Sequence, residues 1–316
     1  MRVPRLAERS RREFVKTGLA AGFLAGAGRP GADPDPTSIA IVADPTDPVA
    51  AAAPTRWAAA ELQHALTARG TPVRQLESLE RALAGDLCVL VAGEHSQPAR
   101  QLLEAARVTF PRAADSLALV PGVAGSRPVT LAYGADVRGA VYALLELADR
   151  VRYAEDPLGA LRVGSAVVER SPNAVRSLTR YFVSDVEDKP WFHDRSFWGP
   201  YLTMLATHRF NRFSLGFGLG YNSPNNVRDV YFYFTYPFLF SVPGYSVRAV
   251  PLPDTERDRN WEALRFIGEE TVKRGLHFQV GLWTHAYRWN ESPNANYTIE
   301  GLTPENHAAY CRDALE

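Results

Sequence analysis

Arg180, Asp185 and Glu187 form one group of polar residues in this chain, Tyr221 and Asn222 a second, and Trp283 and His285 a third. Planar aromatic faces accept the C–H faces of sugar rings, and guanidinium, carboxylate, amide and imidazole groups bond the hydroxyls. All seven are therefore candidate carbohydrate-binding residues. Asp185 and Glu187 have a second reading, as a solvated loop beside Lys189, because their spacing alone does not establish the two-carboxylate geometry of glycoside hydrolysis. Trp283 and His285 alternate along Val280–His285 and share one side of a strand if the strand runs that far, although Trp283 also suits packing beneath a loop. Other chemistries fare worse. The seven histidines are dispersed, with no pair at metal-ligand spacing, so neither a metal nor a cofactor is expected. Gly216-Phe-Gly-Leu-Gly220 lacks the lysine of a phosphate loop, and no Ser/His/Asp or Cys/His set can be placed.

These groups need elements to hold them. Strand (177–183), helix (192–207), strand (212–217), helix (259–274), strand (277–282) and a helix from Pro304 onwards follow one another, as in repeated βα units on a parallel sheet. Each candidate group follows one of the three strands, where a (β/α) barrel carries its site. The long segment from Asn222 to Asn260 contains the aromatic run Tyr231–Phe240, read either as one wall of a carbohydrate cleft or as rings packed on the barrel rim. Three units do not close an eight-unit barrel of about 250 residues, so the expectation is a truncated barrel with its last helix cut at Asp313–Glu316. A small three-strand domain is the alternative, at the cost of uncovered sheet edges.

The region before it has a different composition. Five of six tryptophans, ten of thirteen tyrosines and twelve of fifteen phenylalanines lie at or after position 181. Residues 38–43 and 87–92 read as buried strands, with Cys88 a core residue. Residues 54–69 form a helix with Trp57, Leu62, Ala65 and Leu66 inward and Gly70 at C′, and a further helix covers 97–107. Residues 117–120 and 129–133 bracket turn signals, and Asp136 caps a helix over 137–151. With 316 residues, 46% hydrophobic and 22% charged, two globular domains are expected. A formal net charge of zero argues against nucleic acid as a partner. Two cysteines far apart predict no disulfide framework.

The first residues read as an address. Ser10-Arg-Arg-Glu-Phe-Val-Lys16 followed by the Gly/Ala-rich stretch 17–27 has the form of a twin-arginine export signal, too short and mild for a stable membrane span. The expected organisation is a signal peptide over 1–32, a Pro-rich linker over 33–37, an α/β domain over 38–170 and a partial barrel over 171–316. The protein is expected in the periplasm or outside the cell, with the twin-arginine translocase as its partner during export.

Asp115–Pro121, Pro128–Gly134 and the helix start Asp136-Val-Arg138-Gly139-Ala-Val-Tyr142 together resemble the small N-terminal α/β domain of β-hexosaminidases and α-glucuronidases. Arg180–Glu187 resembles the first barrel strand of α-glucuronidase-type enzymes, and Leu205–Leu215, with Asn211 at the turn, is similar to the helix-to-strand passage of many sugar-cleaving barrels. Gly216–Asn222 stands where family 20 hexosaminidases carry a His-x-x-Asp-Asp-like group. The resemblance implies an α/β fold and a carbohydrate substrate. It also implies catalytic acids after the fourth strand or later, beyond Glu316, so that this stretch alone lacks activity. A non-catalytic carbohydrate-binding protein and a purely structural α/β protein are the alternatives.

Overall fold

The computed structural model describes residues 38–183, 185–217, 234–282 and 297–316, with Asp185 and Val186 as backbone only. The export segment, the linker, and Tyr221, Asn222, Trp283 and His285 lie outside the described residues.

A six-stranded sheet organises the first half. It contains β1 (Ser38–Ala43), β2 (Val73–Leu76), β3 (Asp86–Ala92), β4 (Leu117–Ala124), β5 (Arg127–Gly134) and β6 (Val167–Glu169), in the order β2-β1-β3-β5-β4-β6. β2, β1, β3 and β5 are parallel, and β4 runs antiparallel between β5 and β6. Helices α1 (Ala53–Ala68) and α3 (Val137–Tyr153) and the short α4 (Pro157–Leu161) cover one face, while α2 (Gln97–Ala105) covers the other. With both faces covered, β3 is buried along its whole length, Cys88 included, and so reads as an unbroken apolar run. The expected hairpin is present, but Pro121-Gly122 lies within β4, and Gly125-Ser126 makes the turn. Asp136 caps α3 by accepting from Gly139 N at 2.9 Å.

The second half supplies a three-stranded parallel sheet of β7 (Ser177–Phe182), β8 (Arg212–Phe217) and β10 (His277–Leu282), side by side in chain order. One long helix was expected between β7 and β8, but there are two, α5 (Asp185–Phe192) and α6 (Arg195–Thr207). The break is chemical: Asp194 accepts from Ser196 N and Oγ and starts a new helix, and Trp198 Nε1 ties it back to Phe192 O at 3.1 Å. After the single turn α7 (Tyr236–Leu239) and the short β9 (Arg248–Val250), α8 (Asp254–Lys273) begins five residues before its expected start. Its first turn is wholly polar and shows no apolar period, yet Asp254 and Glu256 suit a helix N-terminus. β11 (Thr298–Glu300) pairs with β9, and α9 (His307–Asp313) follows. Phe182, Phe213, Leu215 and Phe217 pack beneath α6 and α8 with Trp198, Leu202 and Ile267. Of the described rings of the aromatic run, Phe234, Tyr236 and Phe238 are buried and Phe240 is partly so, which favours the packing reading for them.

Both sheets belong to one compact unit spanning Pro36–Glu316. The joint between them is centred on Asp115, a buried residue with left-handed backbone (φ 62°). Its Oδ1 accepts from Arg138 Nε at 2.6 Å, and its Oδ2 accepts from Arg176 Nη2 at 2.7 Å and Asn211 Nδ2 at 2.8 Å. Tyr142 donates to Phe210 O at 2.8 Å, and Gly139 is needed because a Cβ there would lie 2.1 Å from Ser116 O. Of the residues that carried the family resemblance, Asp136, Arg138, Gly139, Tyr142 and Asn211 thus gather at this joint. Arg209 adds ion pairs to Glu146 and Glu169, and Arg138 also reaches His277 Nε2 at 2.8 Å. Asn211 immediately precedes β8 and His277 begins β10, so the first half is anchored at the amino-terminal ends of the parallel strands.

Burial opposes ionisation of Asp115, but the hydrogen bonds from Arg138, Arg176 and Asn211 outweigh it and hold its carboxyl below the usual carboxylate range. The stability it contributes is therefore complete above its unfolded pKa of about 4 and is lost as pH falls through the lower folded value. Asp115→Asn should destabilise the protein by about 1.5–3 kcal/mol at neutral pH, since it removes the charged acceptor from two part-buried guanidinium groups. Denaturant unfolding of both proteins should show that difference narrowing below about pH 4; a difference that does not change with pH would remove Asp115 from this role.

Candidate functional site

Period-two alternation divides the parallel sheet into two unlike faces. Leu178, Arg180 and Phe182 of β7, Phe213, Leu215 and Phe217 of β8, and Phe278 of β10 belong to the helix-covered side. Ser177, Thr179 and Tyr181, Ser214 and Gly216, and Gln279 and Gly281 line a recess of about 350 Å³ on the other face, which reaches Phe217 and Leu282 at the carboxyl ends.

Hydrogen bonds cross all three strands on that face. Ser177 Oγ and Ser214 Oγ are 3.2 Å apart, and Gln279 Oε1 lies 3.5 Å from Ser214 Oγ and 3.4 Å from Arg212 Nη1. Above this row stands Tyr181, 47% exposed. One edge of its ring lies over Gly216, where an added Cβ would be 2.7 Å from Cδ1 and 2.9 Å from Cε1. A bare Cα at position 216 is what lets the ring rest there. Hydroxyl, amide and phenol groups around a half-open aromatic ring can bond and stack a hydroxylated ring. No carboxylate lines this recess among the described residues.

Of the seven candidates from sequence, the described structure locates two side chains. Arg180 turns away from the recess, its guanidinium carbon 4.0 Å from the Trp191 ring centre, 5.1 Å from Phe197 and 5.8 Å from Tyr201. Its Nε is buried without a hydrogen bond, and the surrounding rings, with a hydrogen bond to Tyr201, hold the charge. This placement gives Arg180 a packing role on the covered side. Glu187 is exposed on α5, and Asp185 begins that helix. Sequence reasoning passed over Tyr181 and Gln279. The signal was the alternation Ser177-x-Thr179-x-Tyr181, which sets the tyrosine, and not its charged neighbour, on the open face.

A larger cleft, about 800 Å³, opens between α5 and α8 on the outer helix layer, lined by Lys189, His193, Asp194, Glu256 and Arg259 among others. Much of its polar chemistry is already committed. Lys189 pairs with Glu256 and reaches Tyr297 Oη at 3.1 Å. Buried Asn260 donates through Nδ2 to Phe238 O at 3.0 Å, which turns its Oδ1 toward His193 Nε2 at 2.8 Å and fixes the proton on that nitrogen. Burial, only partly offset by the Asn260 bond, keeps His193 below the ordinary histidine range, so it is neutral at pH 7. Among the described residues no group of three His, Cys, Asp or Glu is placed to hold a metal ion, and no helix is long and apolar enough to cross a membrane.

Comparison with protein-family models finds no match, and comparison with curated proteins finds none either. Among solved structures, the chain is similar to a GH138 enzyme targeting pectin rhamnogalacturonan II, with 18% identity, a TM-score of 0.48, and 75% of this chain and 24% of that one covered. It is also similar to CpGH84D, with 11% identity, a TM-score of 0.48, and 88% of this chain and 38% of that one covered. The chain thus spans well under half the length of either glycoside hydrolase chain it resembles.

Proposed function

We propose that this chain is the sugar-recognising part of an exported glycoside hydrolase of the α-glucuronidase or β-hexosaminidase type, in which β7, β8 and β10 are the first strands of a (β/α) barrel. The single observation that carries the reading is the Tyr181 ring seated over Gly216 above the Ser177–Ser214–Gln279 row. The interior of a (β/α) barrel is ordinarily filled by bulky branched residues. Hydroxyls, an amide and two glycines in their place leave a polar recess that water or a hydroxylated ligand must satisfy. The catalytic pair would be two carboxylic acids, one protonating the leaving oxygen and one activating water or attacking the sugar. None lines the recess among the described residues, and the second reading is a carbohydrate-binding protein on the same scaffold.

Three measurements test this reading. Calorimetric titration with plant-polysaccharide oligosaccharides should show Tyr181→Ala weakening binding about three- to tenfold, with Tyr181→Phe close to the parent; equal affinity in all three proteins would remove the platform. Gly216→Ala should displace the ring, cost about 1–3 kcal/mol of stability and weaken the same binding; a crystal structure of the variant with the ring unmoved would contradict the close-approach argument. For the export reading, replacing Arg11 and Arg12 by lysine should leave the protein in the cytoplasm on cell fractionation, and undiminished export would count against a twin-arginine route.

A further inference from the structure

We propose that a second binding site lies on the six-stranded sheet, at the carboxyl ends of β3 and β5, and that it takes a small polyhydroxylated carboxylate of monosaccharide size. Ligands of open parallel sheets sit outside the carboxyl ends of the strands. Between β1 and β3 that position is already filled: Asp47 accepts from Gly93 N at 2.8 Å, and Val49 packs so closely that a Cβ on Gly93 would lie 2.5 Å from its methyl carbon. One strand along, a recess of about 660 Å³ stands open, lined by Glu94, His95, Arg100, Glu104, Arg112 and Tyr133 among others. That volume falls within the usual range of small-molecule sites.

The polar groups there are largely unspent. Arg112 makes no hydrogen bond or ion pair with any described residue, and Arg100 only a long 3.5 Å contact to Glu94 O. Tyr133 is 6% exposed, held edge-on against Phe110 at 4.7 Å, and its hydroxyl bonds to no described residue. The ring is nearly buried while the hydroxyl opens on the recess, where water or a ligand is its partner. Burial first, with the charges of Glu94 and Asp47, pushes its pKa above the ordinary tyrosine value, so at neutral pH it keeps a proton to donate.

The mixture selects the ligand. Planar guanidinium groups match a carboxylate fork. Glu94 and Glu104 only accept hydrogen bonds when ionised, so they favour hydroxyl donors and repel a second negative charge. One carboxylate carried on a ring of hydroxyls satisfies both demands, whereas a phosphate dianion or an uncharged sugar satisfies only one.

Calorimetric titration of the full chain with glucuronate, glucose and inorganic phosphate tests the site. Saturable glucuronate binding is expected, weakened about tenfold or more by Arg112→Ala and by Arg100→Ala and several-fold by Tyr133→Phe. Glucose should bind at least about tenfold more weakly than glucuronate, and phosphate should not compete. Both arginines are exposed, so the variants should melt as the parent does. Absence of saturable binding, arginine variants within about twofold of the parent, glucose equal to glucuronate, or phosphate as an effective competitor would each overturn the proposal. Tyr181→Ala separates the two sites: it should leave glucuronate affinity unchanged, and its loss there would move the ligand to the other sheet.

Discussion

A carboxylate taken out of water costs several kcal/mol unless donors surround it, and Asp115 is such a carboxylate. Its three partners come from three places in the chain: Arg138 opens α3, Arg176 precedes β7 and Asn211 precedes β8. Desolvation therefore penalises any arrangement in which the two sheets are apart or out of register. Tyr142 reinforces the joint, because burial, aided by the Asp115 charge, pushes its phenol up to about 12 and keeps it a hydrogen-bond donor to Phe210 O. The polar recess on the second sheet depends on this, since β7 and β8 enter their sheet directly from residues fastened to Asp115.

The elements of the first half were legible because their signals agreed. β3 has the continuous apolar run of a doubly covered strand, α1 has its inward face and Gly70, and Asp136 stands where a cap should. The strands of the second half were equally plain, with β8 and β10 beginning and ending where expected. The failures have causes. A helix that opens on Asp-Thr-Glu-Arg-Asp offers no periodicity until residue 260, and the division at His193-Asp194 depends on a cap bond that competes with a continuous apolar pattern.

The candidate site was less legible, for a physical reason. Charge draws the eye to Arg180, yet a guanidinium can be satisfied by aromatic faces as well as by a ligand, and Trp191, Phe197 and Tyr201 supply those faces from α5 and α6. Tyr181 is one position along and so on the opposite side. Only the alternation distinguishes the two, with Ser177 and Thr179 on the side of Tyr181 and Leu178 and Phe182 on the side of Arg180 that the helices cover. Asn211 carries a related lesson. A residue that matched a family pattern at a helix-to-strand turn works in the joint, between Asp115, Ala174 O and Arg176 N.

The joint meets the parallel strands at their amino-terminal ends, while the polar recess runs to Phe217 and Leu282 at the other. The joint and the Tyr181 end of the recess thereby lie at opposite poles of the same three strands, while Ser177 at the near end directly follows Arg176. Substitution of the exposed Tyr181 side chain leaves the charge cluster around Asp115 untouched and draws little on the narrow margin of folding stability, whereas Gly216 beneath it has no such freedom. The joint itself has little such freedom, because Arg138, Arg176 and Asn211 all converge on the one carboxylate of Asp115. Diversification in relatives of this chain should therefore be lopsided along the strand axis, fast at one pole and slow at the other.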